Sequence, residues 1–152
     1  MRNNEYSMQQ GEGLAGKTGE FRIGNDLRVT RLGFGAMRIS GNGVWSEPAD
    51  RARAIRVLRR AVELGINFID TVDSYGPGVS EEIIAEAQHP YPADLVTATK
   101  AGFERRGPNR WVENGKPPYL RSACEGNLRR LRLGQIDLYQ LHRIDPKVPA
   151  ED

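Results

Sequence analysis

The chain has 152 residues, with 22 basic and 20 acidic side chains, 17 glycines, nine prolines and a single cysteine. A hydrophobic fraction of 38% beside 28% charged residues fits one globular domain and excludes a disordered or membrane-embedded chain. A net charge of +2 exerts no pull on nucleic acid or anionic lipid, and the lone Cys124 excludes a disulfide framework and a multi-cysteine zinc site. No run approaches the roughly 18 apolar residues of a spanning helix, so the expectation is a cytoplasmic protein with no metal, nucleic-acid or membrane partner.

Residues 1–20 hold four glycines and little apolar periodicity, and read as a flexible polar tail. The stretch FRIGNDLRVTRL, residues 21–32, alternates on either side of Gly24-Asn25-Asp26 and predicts a hairpin. Leu32 to Met37 reads as a strand, followed by a glycine-rich loop over residues 40–44. A helix opens near Ser46 or Asp50, carries Ala54, Leu58, Ala61 and Val62 on one face, and stops at Gly65. Ile66 to Asp70 is a buried strand. Ser80 is placed to cap a second helix with Glu81 and Glu82 in its first turn, at the positive end of the dipole. Leu95 to Lys100 is the next strand, and a long loop runs from Ala101 to Lys116. A third helix starts near Pro117-Pro118, with Leu120, Cys124, Leu128 and Leu131 as its apolar stripe, and ends at Gly134. Ile136 to His142 is the last strand. Strands that alternate with helices imply parallel pairing through right-handed crossovers, an α/β architecture.

Parallel strands bring their C-terminal ends to one rim, where α/β enzymes build their sites. The ends here carry Asp70, Lys100 and His142, and Tyr75 follows Asp70 by five residues in a loop turned by Gly76-Pro77-Gly78. A phenol is a weak acid, with an ordinary pKa of about 10. A nearby ammonium lowers that value and lets the phenol protonate a developing alkoxide. A carboxylate would fix the ammonium, and a neutral imidazole would orient a carbonyl oxygen. This set suits carbonyl reduction. Hydrolysis is disfavoured because neither Ser74 nor Ser122 has the flanking glycines of a nucleophile elbow. Asp70 ends the apolar run and is favoured over Asp73 as the lysine's carboxylate. Gly33-x-Gly35 is no dinucleotide fingerprint, since position 38 is Arg and no helix starts directly after it. His89 reads as a surface residue and Cys124 as a buried structural thiol.

The runs GINFIDTVDSYGPGVSEE, LVTATKAGF and GQIDLYQLHRID resemble the aldo-keto reductases, nicotinamide-dependent enzymes built on a (β/α)8 barrel. The segments GNGVWSEPADRARAIRVLRRAVELG and AEAQHPYPADL are most similar to the branch that contains bacterial pyridoxal reductases. The resemblance implies Tyr75 as general acid, Lys100 as the partner that lowers its pKa, Asp70 as the carboxylate holding Lys100, and His142 as the orienter of the carbonyl. It places Gly35, Ala36 and Met37, with Asp70, at the nicotinamide end of NADPH. Trp45 and Trp111 are candidate pocket aromatics by position, and for Trp111 packing on the barrel edge is the equal alternative. About four strand–helix units out of eight imply the N-terminal half of a (β/α)8 barrel, spanning residues 21–152 and preceded by the short hairpin. The remaining units would carry most contacts to the adenine ribose and phosphates. The expected function is therefore reduction of a small aldehyde or ketone by NAD(P)H in a truncated chain. The alternative is a non-catalytic half barrel that needs a complementary half, or associates with a second copy through its open sheet edge.

Overall fold

The computed structural model describes residues 13–24 and 26–149. Of the expected tail, residues 1–12 lie outside the described residues. Residues 13–18 pack onto the body: Ala15 is buried, and its N–H donates to the carbonyl of Leu64 at 2.9 Å. The hairpin forms as β1 (Glu20–Ile23) and β2 (Leu27–Thr30), antiparallel, with Phe21 opposite Val29. Asn67 fastens it to the body, accepting from the Thr30 N–H at 2.7 Å and donating to the Arg28 carbonyl at 3.2 Å. Asn25, the centre of the predicted turn, is outside the described residues.

The main sheet has the order β3-β4-β5-β8 and is parallel throughout, built from Phe34–Gly35, Phe68–Asp70, Val96–Ala101 and Leu138–Leu141. Helices α1 (Arg51–Glu63), α2 (Val79–Gln88) and α3 (Pro117–Leu131) connect these strands. The α/β reading holds, as four parallel strands of a partial barrel. Between sheet and helices lies one apolar core in which Leu58, Ile69, Ile83, Ile84 and Leu131 are fully buried. Packing this face is the dominant favourable term, at about 25 cal/mol per Å² of apolar surface removed from water.

Several boundaries differ from the sequence expectation. Strand β3 is only two residues long, and Ala36–Ile39 forms a 3-10 turn instead of continuing it. A short apolar run cannot separate strand from helical turn by periodicity, and here the turn tucks Ala36 and Ile39 into the core. Helix α1 starts as expected, with Asp50 as N-cap accepting from the Arg53 N–H at 2.7 Å. Helix α2 is not capped by Ser80. Its N-cap is Gly78 in the left-handed region (φ 84°), and the buried Ser80 hydroxyl lies 2.8 Å from the Thr71 hydroxyl and donates to the Ala36 carbonyl at 3.2 Å. Helix α3 ends with Arg132 at φ 55°, two residues before Gly134. Its buried face is Gly126, Asn127 and Leu131, so the expected stripe is rotated and Cys124 is half-buried rather than buried. The long loop over residues 101–116 is largely an antiparallel hairpin, β6 (Phe103–Gly107) with β7 (Arg110–Glu113). His89 is exposed, as expected.

Candidate active site

The three central strands deliver their residues to one rim. Asp70 ends β4, Lys100 is the penultimate residue of β5, and His142 directly follows β8. Register sets Asp70 beside Ala98, and alternation places Lys100 on the same face two residues further on. The Lys100 ammonium donates to Asp70 Oδ1 at 2.5 Å and to the Thr71 carbonyl at 2.9 Å. Its side chain is 14% exposed and that of Asp70 38%, so the pair is only partly withdrawn from water. Asp70, not Asp73, is the lysine's partner.

Tyr75 sits in the turn after β4. The positive φ angles of Gly76 (81°) and Gly78 (84°) reverse the chain there, and a Cβ on Gly76 would lie 2.6 Å from the Val79 Cβ. The Tyr75 and His142 rings meet edge to face at 6.4 Å. Burial, reinforced by the negative charge of Asp70, pushes the Tyr75 phenol above its ordinary pKa. The sequence leads to the reverse expectation, that the neighbouring ammonium lowers it. In this structure the carboxylate engages that ammonium, and desolvation prevails. Burial, then the positive charge of Lys100, pushes the His142 imidazole below its ordinary value, so it is neutral at pH 7. Its Nδ1 is buried and without a hydrogen-bond partner among the described residues.

The β6–β7 hairpin encloses His142. Phe103 lies 5.0 Å and Trp111 6.4 Å from the imidazole, both edge to face. Trp45 reaches the same wall through a residue the sequence reading missed. The Arg105 guanidinium lies 3.8 Å from the Trp111 ring centre and 5.3 Å from that of Trp45. Residues 105 and 111 are directly paired across the hairpin, so the packing partner of Trp111 is a cation, and a search for alternating apolar residues passes over it.

Behind β5 lies a second group missed by sequence. Glu81, expected in the α2 first turn at the positive end of the helix dipole, is there and is fully buried. It accepts from the Thr99 hydroxyl at 2.6 Å and from Arg130 Nε at 2.7 Å. Arg130 donates onward to Asn127 at 2.6 Å, whose amide reaches the Lys100 carbonyl at 3.4 Å. Asp73 faces this side too, and burial together with Glu81 pushes its carboxyl up to about 7.

Gly35, which ends β3, and Ala36 and Met37 of the following 3-10 turn fit a flat ring unevenly. Gly35 lies beside Asp70 in register, is exposed, and has nothing within 4 Å of where a Cβ would be, which leaves an open face at the rim. Met37 is 38% exposed, whereas Ala36 is fully enclosed and its carbonyl is taken by Ser80, so Ala36 offers no contact surface. Among the described residues no group of three or more His, Cys, Asp or Glu side chains could hold a metal ion, and no helix is long and apolar enough to cross a membrane.

The model of the aldo/keto reductase family matches residues 31–152. An uncharacterised oxidoreductase of Schizosaccharomyces pombe is 53% identical over 138 residues, covering 91% of this chain and 44% of that protein. Pyridoxine 4-dehydrogenase of Escherichia coli is 46% identical over 125 residues, covering 81% of this chain and 44% of its own length. Among solved structures, the glycerol dehydrogenase of Gluconobacter oxydans superposes with a TM-score of 0.75 at 34% identity, over 86% of this chain and 41% of that one. The chain thus spans less than half the length of these relatives.

Proposed function

The chain belongs to the aldo/keto reductase family, and from that premise we propose that its rim residues carry out the proton handling of NADPH-dependent reduction of a small aldehyde or ketone. The single observation that carries this reading is the Lys100–Asp70 contact at 2.5 Å, on the rim that also presents Tyr75 and His142. The names of the pyridoxine and glycerol dehydrogenases support alcohol–carbonyl chemistry.

When bound, the nicotinamide supplies the hydride. Gly35, exposed and beside Asp70 in register, and the exposed Met37 are the residues that would hold its ring. His142, neutral at pH 7, donates a ring N–H to the carbonyl oxygen and orients it. Tyr75, kept protonated by its raised pKa, transfers its hydroxyl proton to the oxygen as alkoxide character develops. Lys100, held by Asp70, stabilises the phenolate left behind. The test is Tyr75→Phe in this chain extended by the C-terminal part of a relative, with carbonyl-dependent oxidation of NADPH as the readout. A general acid contributes about 10²–10⁴-fold, so kcat falls by that factor. An unchanged kcat removes Tyr75 from the role.

A second reading, a half barrel that engages a complementary half, is favoured by the outer strand β8. Leu141 in that strand and Ile144 just after it are 51% and 75% exposed, an open apolar edge of the kind proteins ordinarily cover.

A further inference from the structure

We propose that Arg105 is a positioning residue of the site: it locks the loop after β3, the turn that carries Tyr75 and the β6–β7 hairpin into one fixed wall. This rests on the reading of Tyr75 as proton donor.

The three segments share no secondary structure, and Arg105 touches all of them. Its Nη1 donates to the carbonyls of Val44 at 2.7 Å and Ser74 at 2.6 Å, and its Nη2 to those of Gly43 at 3.2 Å and Gly107 at 3.4 Å. Ser74 directly precedes Tyr75, so one guanidinium nitrogen joins the backbone that carries the phenol to the loop that carries Trp45. The Val44 carbonyl also accepts from the Gly76 N–H at 3.2 Å, which closes the junction on the other side of Tyr75. The faces of the guanidinium are used as well, lying over Trp111 and Trp45. A planar fork with donors in its plane and π contact on its faces is a property of arginine that lysine lacks.

The loop so held is strained. Val44 (φ 54°) and Ser46 (φ 57°), on either side of Trp45, are non-glycine residues in the left-handed region. Such conformations are costly, most of all for a β-branched side chain, and persist only where surrounding contacts over-determine them. Arg105 supplies those contacts from across the site. Without it the loop is free to leave this conformation, taking Trp45 away from Trp111 and releasing the carbonyl before Tyr75.

Trp45 and Trp111 are the chain's two tryptophans, so fluorescence reads the wall directly. Tyr75 is read separately by titrating the chain labelled with [¹³Cζ]tyrosine, its signal assigned with Tyr75→Phe. Both measurements are made on the 152-residue chain carrying Arg105→Met or Arg105→Lys, with far-UV circular dichroism to establish folding. The expected result in both variants is tryptophan emission shifted to longer wavelength and a Tyr75 pKa lowered toward the ordinary value of about 10. If Arg105→Met does not fold, the Tyr75 titration in Arg105→Lys decides. A folded variant with the wild-type Tyr75 titration overturns the proposal, even where its melting temperature falls, because Arg105 would then support the fold without positioning the phenol. Neither readout needs turnover, so if Tyr75→Phe shows that Tyr75 is not the acid, the positioning result is still decided on its own terms.

Discussion

Asp70 and Asp73 stand three residues apart and meet opposite surroundings. Asp70 accepts from an ammonium at the rim, whereas Asp73 is turned toward Glu81, Tyr119 and Arg130, with one carboxyl oxygen buried and without a hydrogen-bond partner among the described residues. The apolar run ending at Asp70 was enough to choose between them from sequence. The cost borne by Asp73 was not legible, because its neighbours come from α2 and α3. That cost has a pH signature. The folded-state pKa of about 7 is raised above the ordinary 3.8, so the folded state binds the extra proton. The resulting stability is fully present below pH 3.8 and is lost as pH rises through about 7. Asp73→Asn, which cannot ionise, is therefore expected to be more stable than wild type at pH 8 by about 1–3 kcal/mol. The difference should vanish toward pH 4, as measured by urea unfolding at the two pH values. A variant equally destabilised at both would show that the carboxylate is accommodated.

Elements were legible where their signals were local. Asp50 before an amphipathic run is a sufficient start for α1, and the structure shows the cap itself, Asp50 Oδ1 accepting from the Arg53 N–H. Asp50→Ala is expected to cost about 0.5–2 kcal/mol, seen as a lower midpoint in thermal unfolding with no change in the Lys100–Asp70 pair. Elements specified by distant partners were not legible. Strand β3 stops after Gly35 because the 3-10 turn meets α2, where the Ser80 hydroxyl donates to the Ala36 carbonyl. The β6–β7 hairpin escaped detection because its inward face is Phe103, Arg105 and Trp111, an aromatic–cation–aromatic set with a bulge between Arg105 and Gly107. Glu81 was assigned to a helix dipole because nothing local announces that Arg130, 49 residues away, will bury it.

At the scale of the molecule, one sheet with helices on one side places the apolar core on the helix face and the titratable residues on the rim. That division follows from the strand–helix alternation, which is why the fold class and the strand-end residues of the rim are legible in the sequence. The rim holds a carboxylate–ammonium pair, a half-buried phenol and a neutral imidazole, which together suit protonation of a carbonyl oxygen. The polar support behind β5 and the Arg105 wall in front of it are products of tertiary packing. In the proposed function, hydride from NADPH reaches a carbonyl carbon at this rim while Tyr75 protonates the oxygen. The most direct measurement incubates this chain, extended by the C-terminal part of a relative, with an aldehyde and NADPH deuterated at the transferring position of C4, and follows the alcohol by mass spectrometry. One deuterium on the carbinol carbon is expected, formed more slowly in Tyr75→Phe; alcohol without deuterium, or no alcohol from a folded and NADPH-bound protein, would overturn the proposed function.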